Sequence, residues 1–261
     1  MQNFFRWACP SLGFLFALVL LSPHLPVKDK VYGQQNAPVR PAIEMVQRLG
    51  GHLFFGRGEV VEIVLNQTAV QDADLQHISG LSQLTDLSLE ATGIGDAGLV
   101  HTARLKNLVW LNLYRTQVSD ASLEQLRQLE KLTYLPVGGT RITDAGLIHL
   151  GQMKKLLYLG LRDDAISDRG LKHLVGLRRL QGLNLAGTRV TDVGIASLTG
   201  MKGLERLWLH DTGISDAAID SLSQLRSLRQ IYIYRTRISP AGIARIRKSL
   251  PACQVHAQAP Q

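Results

Sequence analysis

Cysteine is almost absent: Cys9 and Cys253 are the two such residues in a chain of 261. A disulfide-stapled scaffold or a thiolate metal cluster is excluded, because either needs several cysteines at short spacing. Aromatic residues are also scarce, at 6%, so where they gather carries information. The longest apolar stretch, Leu12 to Leu21, has ten residues, about half of what a helix needs to cross a bilayer. There is no Gly-x-Ser-x-Gly elbow, His-Glu-x-x-His pair, phosphate loop or Gly-x-Gly-x-x-Gly fingerprint. No enzyme and no cofactor are expected. Charge of one sign is missing from each end of the remaining chain. Glu59 to Ala103 holds seven acids and no Lys or Arg, whereas Leu225 to Gln261 holds seven bases and no acid. Nucleic acid is a poor partner for such a chain, since its acidic half repels phosphate.

The short apolar run fits a targeting segment over residues 1–33. Arg6 precedes it, Pro23 and Pro26 end any helix, and Val31-Tyr32-Gly33 places small residues where a signal peptidase cuts. Export is expected, with a membrane contact only if this segment stays uncleaved. Its removal lowers the formal charge from +8 to +6 and leaves Cys253 as the one cysteine. That thiol is read as a small, inert, partly buried residue.

What the sequence has in abundance is a period. Leucines at 84, 108, 132, 156, 180, 204 and 228 stand 24 residues apart, and Val60 shares their register. Eight copies cover 60–251, and the one that begins at Leu108 shows their skeleton, Leu-x-x-Leu-x-Leu-x-x-Thr-x-[Ile/Val]-x-Asp-x-[Gly/Ser]-Leu. The fourth and sixth positions alternate with variable residues, which predicts a short strand; spacing then changes to three, which predicts a short helix. An aspartate opens that helix in seven copies (Asp72, Asp96, Asp120, Asp144, Asp168, Asp192, Asp216). Its expected role is to accept the free N–H groups of the first turn. Threonine fills the ninth position in all copies but one, where Asp164 stands. Its hydroxyl is expected to bond the turning backbone of neighbouring coils. No single copy buries enough to fold alone; stacking supplies the burial.

This skeleton resembles the leucine-rich repeat (LRR) family over about three-quarters of the chain. Thr in place of the usual Asn, followed by [Ile/Val]-x-Asp-x-Gly-Leu, is similar to a 24-residue subclass of bacterial exported proteins and to the repeats of F-box substrate receptors. The resemblance implies an α/β fold: a right-handed solenoid, or horseshoe, with a parallel concave β-sheet and short helices on the convex side. The F-box likeness raises a ubiquitin-ligation adaptor, against which the targeting segment speaks. Around the repeats, 34–40 reads as linker. Residues 41–59 read as an N-terminal cap of helix plus strand, and 252–261 as a C-terminal half-repeat continuing through Ala252, Val255 and Ala257.

In such a solenoid, positions three, five and seven face outward from the concave sheet. Every Trp and Tyr after residue 33 falls there: Trp110, Tyr134 and Tyr158 at position three, Trp208 and Tyr232 at five, Tyr114 and Tyr234 at seven. Arg115, Arg162, Arg206, His210, Asp211 and Arg235 lie beside them. Adjacent strands lie about 4.8 Å apart, so Trp110, Tyr134 and Tyr158 are expected to form an aromatic ladder. Trp, Tyr and Arg are enriched where proteins bind. A protein partner is the first reading. A glycan stacked on the rings, a structural spacer, and head-to-tail self-association driven by the opposed charges stand beside it. His77, His101, His149 and His173 share position eighteen on the outer side and are read as solvated, not as metal ligands.

Overall fold

A computed structural model describes residues 39–259; the expected targeting segment and nearly all of the linker lie outside the described residues. The chain begins with α1 (Arg40–Arg48), whose proline occupies the first turn, followed by β1 (His52–Gly56) and β2 (Glu59–Val64). Eight three-residue strands then recur once per repeat: β3 (Asp86–Ser88), β4 (Trp110–Asn112), β5 (Tyr134–Pro136), β6 (Tyr158–Gly160), β7 (Gly182–Asn184), β8 (Arg206–Trp208), β9 (Gln230–Tyr232) and β10 (Gln254–His256). All ten form one sheet in chain order. It is the concave sheet of a leucine-rich-repeat horseshoe, and short helices return the chain along the convex side. These are α2 (Asp96–Thr102), α3 (Asp120–Leu126), α4 (Leu147–Leu150), α5 (Asp168–Leu171), α6 (Asp192–Ser197), α7 (Ile219–Leu222) and α8 (Pro240–Ser249), with 3₁₀ turns at Asp72–Ile78, Leu198–Gly200 and Asp216–Ala218.

The register follows from burial. Position four (Ile63, Leu87, Leu111, Leu135, Leu159, Leu183, Leu207, Ile231) is sealed from solvent in every coil, and position six nearly so. Each such side chain contributes roughly 1.5–3 kcal/mol, and a slip by one residue would expose the whole set. From β2 to β10 the strands are parallel with a 24-residue offset. The cap strand β1 joins the first repeat strand as expected and pairs antiparallel with β2, with a register shift between Phe54 and Phe55. A hairpin is the natural way for a cap to re-enter the sheet, because two adjacent antiparallel strands need only a short turn. Between β4 and β5, only Trp110 and Tyr134 pair as ladder partners. Pro136, in β5, has no N–H to donate.

The aspartate column works differently from expectation. Six of the seven aspartates open their helix or 3₁₀ turn, Asp144 lies in the turn before α4, and all seven reach the following coil. One carboxylate oxygen accepts the backbone N–H at the twelfth position of the next repeat, as from Asp96 to Ser119 (2.8 Å), Asp120 to Thr143 (2.8 Å) and Asp192 to Ser215 (2.7 Å). The other oxygen accepts the hydroxyl of that same residue, at 2.6 to 2.7 Å in these pairs. The cap itself is that Ser or Thr: Ser119, Ser167, Thr191, Ser215 and Ser239 each accept an N–H of the first turn. A carboxylate has lone pairs enough to satisfy two donors on a neighbour, so the stack is stapled coil to coil on the side where it has no strands.

The threonine column is also local. Thr68, Thr92, Thr116, Thr188, Thr212 and Thr236 donate to the carbonyl three residues earlier in their own coil. Thr140 alone turns to the neighbouring coil, where Asp164 replaces threonine. Just before this column, position eight adopts a left-handed backbone in every repeat: Gln67, Ala91, Arg115, Gly139, Asp163, Gly187, Asp211 and Arg235 have φ between 52° and 68°. That turn lets one more N–H reach the next coil beyond the end of the strand, as from Arg115 to Gly138 (2.9 Å).

Candidate binding face

Positions three, five and seven of successive strands build the concave surface, and small residues divide it. Coils four to six contribute Pro136, Gly138, Gly160, Gly182 and Ala186. The absence of side chains there has a structural cause. A Cβ on Gly182 would approach Tyr158 Cδ2 to 2.8 Å, and one on Gly160 would come within 3.2 Å of Tyr158 Oη. The Tyr158 ring therefore lies in the hollow made by two glycines, its phenol bonded to the Asn184 side chain; burial pushes the phenol pKa up against that bond.

This alters the expected aromatic ladder. Trp110, Tyr134 and Tyr158 are direct strand neighbours, but they do not form one exposed ridge. Tyr134 is 8% exposed and so contributes to packing more than to a surface, and Tyr158 turns toward the other end of the sheet. Its ring meets Trp208 edge to face at 6.0 Å. Trp208 then stacks on Tyr232 (5.4 Å, 5° between planes), and Tyr232 on His256 (4.3 Å, 6°). A second stack pairs His210 with Tyr234 at 4.2 Å and 11°. The sequence reading missed His256. Extending position five one further period beyond Tyr232 would have found it.

The charged members surround these stacks. Arg206 is half-buried beside Trp208, and no ion pair with it is found among the described residues. Arg162 is exposed and meets Asp163 (3.1 Å), while Arg235 meets Asp211 (3.4 Å). Asp211 also bonds His210 Nδ1 at 2.8 Å. His210 was read as a surface residue but is 5% exposed, and desolvation lowers its pKa despite the Asp211 bond that favours the charged form. Desolvation raises the Asp211 carboxyl, yet His210 and Arg235 outweigh it and hold it below its ordinary value. Further along the sheet, the Arg115 guanidinium lies 5.2 Å from the centre of the Tyr114 ring. Tyr114 and Trp110 are half-buried.

The acidic end of the same face also escaped the sequence reading as a site. Glu62 and Asp86 are register partners on β2 and β3. Burial raises the pKa of both, and the Asp86 charge adds to the effect on Glu62. Asn66, Ser88, Glu90 and Asn112 join into one hydrogen-bonded row beside them. On the convex side, His101 and His149 lie in α2 and α4. Among the described residues, no group of three or more His, Cys, Asp or Glu is placed to hold a metal ion. No helix among them is long and apolar enough to cross a membrane.

No protein-family model matches the chain, and no curated protein is similar to it in sequence. Solved structures are similar in fold. An LRR protein of Leptospira interrogans shares 26% identity over 69% of this chain (TM-score 0.55), and internalin C2 of Listeria monocytogenes shares 21% over 84% (0.57). The LRR ectodomain of the Arabidopsis receptor kinase HAESA, solved in complex with an N-terminally extended IDA peptide hormone ligand, shares 19% over 78% (0.60). The chain spans 44% of the Leptospira protein, 93% of the internalin and 35% of the HAESA ectodomain.

Proposed function

This chain is a leucine-rich-repeat solenoid, and we propose that it is an exported binding protein that recognises another protein on its concave face without catalysing a reaction. In this reading 41–59 and 252–261 close an array of eight coils over 60–251. Export rests on Arg6 and the Leu12–Leu21 run, with localisation outside the cytoplasm. The peptide seen with the HAESA ectodomain supports the class of partner, a polypeptide.

The observation that favours protein over glycan is the orientation of the rings. A sugar packs against a free aromatic face. The faces of Tyr232 are covered by Trp208 and His256, and Trp208 stacks on Tyr232 and meets Tyr158 in a perpendicular, T-shaped contact. What they present is edges, which carry the positive rim of the ring quadrupole, beside the guanidinium of Arg206. Edges and guanidinium groups suit carbonyl and carboxylate oxygens. The binding set is Trp110, Tyr114, Arg115, Tyr158, Arg162, Arg206, Trp208, Tyr232, Tyr234 and Arg235, supported from beneath by Tyr134 and His210.

The test is affinity capture from the extracellular fraction of the producing cells, with a Trp208→Ala/Arg206→Gln variant alongside and a glycan array in parallel. Retention of a polypeptide by the wild type, its loss in the variant and release by salt are expected. Equal recovery by both proteins, or glycan binding that Trp208→Ala abolishes and salt leaves alone, overturns the reading.

A further inference from the structure

We infer that the concave face takes an extended polypeptide of opposed end charges, its Lys- or Arg-bearing segment on coils one and two and its acidic segment on coils five to eight. This rests on the protein-recognition reading and adds to it the chemistry and placement of the partner.

At one end, Glu62, Asp86 and Glu90 point from positions three and seven of adjacent strands. Among the described residues none of them has an ion-pair partner. No Lys or Arg lies between Glu59 and Ala103. Two half-buried carboxylates facing each other repel, and a cation placed between them relieves both the repulsion and the burial cost. Asn112 donates to one oxygen of Glu90 (3.0 Å) and the Thr85 hydroxyl to one oxygen of Asp86 (2.6 Å); these are neutral donors, so both carboxylates keep their charge and acceptor capacity for a cation.

At the other end the surface presents donors. Arg206 has no carboxylate partner among the described residues, and Asp163 and Asp211 engage Arg162 and Arg235 through one nitrogen each. A guanidinium carries five N–H donors, so each retains most of its capacity. The edges of the Trp208, Tyr232 and His256 stack lie in the same region.

The middle is suited to passage of a main chain. Pro136, Gly138, Gly160, Gly182 and Ala186 raise no side chain large enough to obstruct a backbone running across the strands. Glu62 on β2 and Arg206 on β8 are six strands apart, on the order of 29 Å along the sheet. An extended chain covers that with about nine residues.

The probes are four fluorescein-labelled dodecapeptides of equal composition: Lys₃ and Glu₃ blocks separated by a Gly-Ser spacer, in both chain directions, and two with the same charges alternating. Each carries a benzophenone beside one charged residue for photo-cross-linking. In low salt, one block peptide is expected to bind the full chain at least fivefold more tightly than either alternating peptide. The advantage disappears at 0.5 M salt. Cross-links from beside the Lys block fall on β2 and β3, and those from beside the Glu block on β6 to β9. Glu62→Gln/Asp86→Asn and Arg162→Gln/Arg206→Gln, verified as folded by circular dichroism, each remove the advantage. Equal affinities of block and alternating peptides, with cross-links on the strands, overturn the charge polarity and leave protein recognition standing. Cross-links with the blocks exchanged, or confined to the convex helices, overturn the placement outright.

Discussion

Asp144 and Gly170, on consecutive coils, compete for one volume: a Cβ on Gly170 would run into the Asp144 carboxylate. That carboxylate is occupied in accepting the Ser167 N–H at 2.7 Å. Gly98 stands in the same relation to Asp72, whose Oδ1 would lie 2.6 Å from an added Cβ. The Asp-x-Gly of the repeat is thus two halves of contacts made with different neighbours. The aspartate staples the next coil, and the glycine admits the aspartate of the previous one.

Gly170→Ala should therefore reverse the usual sign of a helix substitution. Propensity alone favours alanine by about 1 kcal/mol, but crowding of a packed site costs about 1–3 kcal/mol. Net destabilisation in urea unfolding is expected. Asp144→Ala/Gly170→Ala should cost less than the sum of the single changes, because the clash leaves with the carboxylate. Strict additivity would show that the two residues are not coupled.

The left-handed column offers a test on backbone alone. Ala91 has φ 54° and Gly139 has φ 67°, and a side chain in this conformation costs about 1–2 kcal/mol. Ala91→Gly is expected to stabilise by up to about 1 kcal/mol, the gain reduced by the added freedom of the unfolded chain. Gly139→Ala is expected to destabilise, and its Cβ would also come within 3.1 Å of Arg115 Cγ. A comparison of urea midpoints checks both.

Repeat spacing made the strands, the buried columns and the face of each strand legible, because a fixed period places like residues in like environments. It did not reveal which neighbour a polar side chain would choose. Asp120 was read as serving its own helix and serves Thr143 instead; Thr116 was read as serving the next coil and bonds Leu113 of its own. Both choices depend on a turn of backbone that no periodicity encodes. Ring orientation was equally hidden. Position placed Tyr134 and Tyr158 side by side, while the glycines at 160 and 182 decided that Tyr158 lies flat and meets Trp208.

Cys253 should behave as an inert thiol. It is buried, and desolvation pushes its pKa up to about 11, with Arg229 opposing weakly. The thiolate is the reactive form, so alkylation by iodoacetamide at pH 7.5 should be at least tenfold slower in the folded chain than in urea. Mass spectrometry of the Cys253 peptide measures this, and equal rates would contradict the burial.

Asp164 gives the chain a stability that depends on pH near neutrality. It is 3% exposed; Oδ1 accepts the Thr140 N–H (2.8 Å) and hydroxyl (3.2 Å), while Oδ2 is buried without a hydrogen-bond partner. Desolvation pushes its pKa up to about 7, the Asp163 charge acting with it and the Thr140 and Gly139 bonds against it. In the unfolded chain an aspartate releases its proton near pH 4. Between pH 4 and 7 the unfolded state has thus lost a proton that the folded state still holds, so this residue's contribution to stability declines across that window and is level above it. The decline amounts to roughly 4 kcal/mol at most. Asp164→Thr restores the hydroxyl that the other coils carry and removes the buried charge. The variant should be close to the wild type at pH 4 and more stable by about 2–4 kcal/mol at pH 8, with the difference growing between those values. Urea unfolding of both proteins at pH 4, 6 and 8 measures it. A difference that stays constant with pH would mean that Asp164 ionises in the folded protein as it does in the unfolded one, and the buried, unpartnered oxygen would then need another explanation.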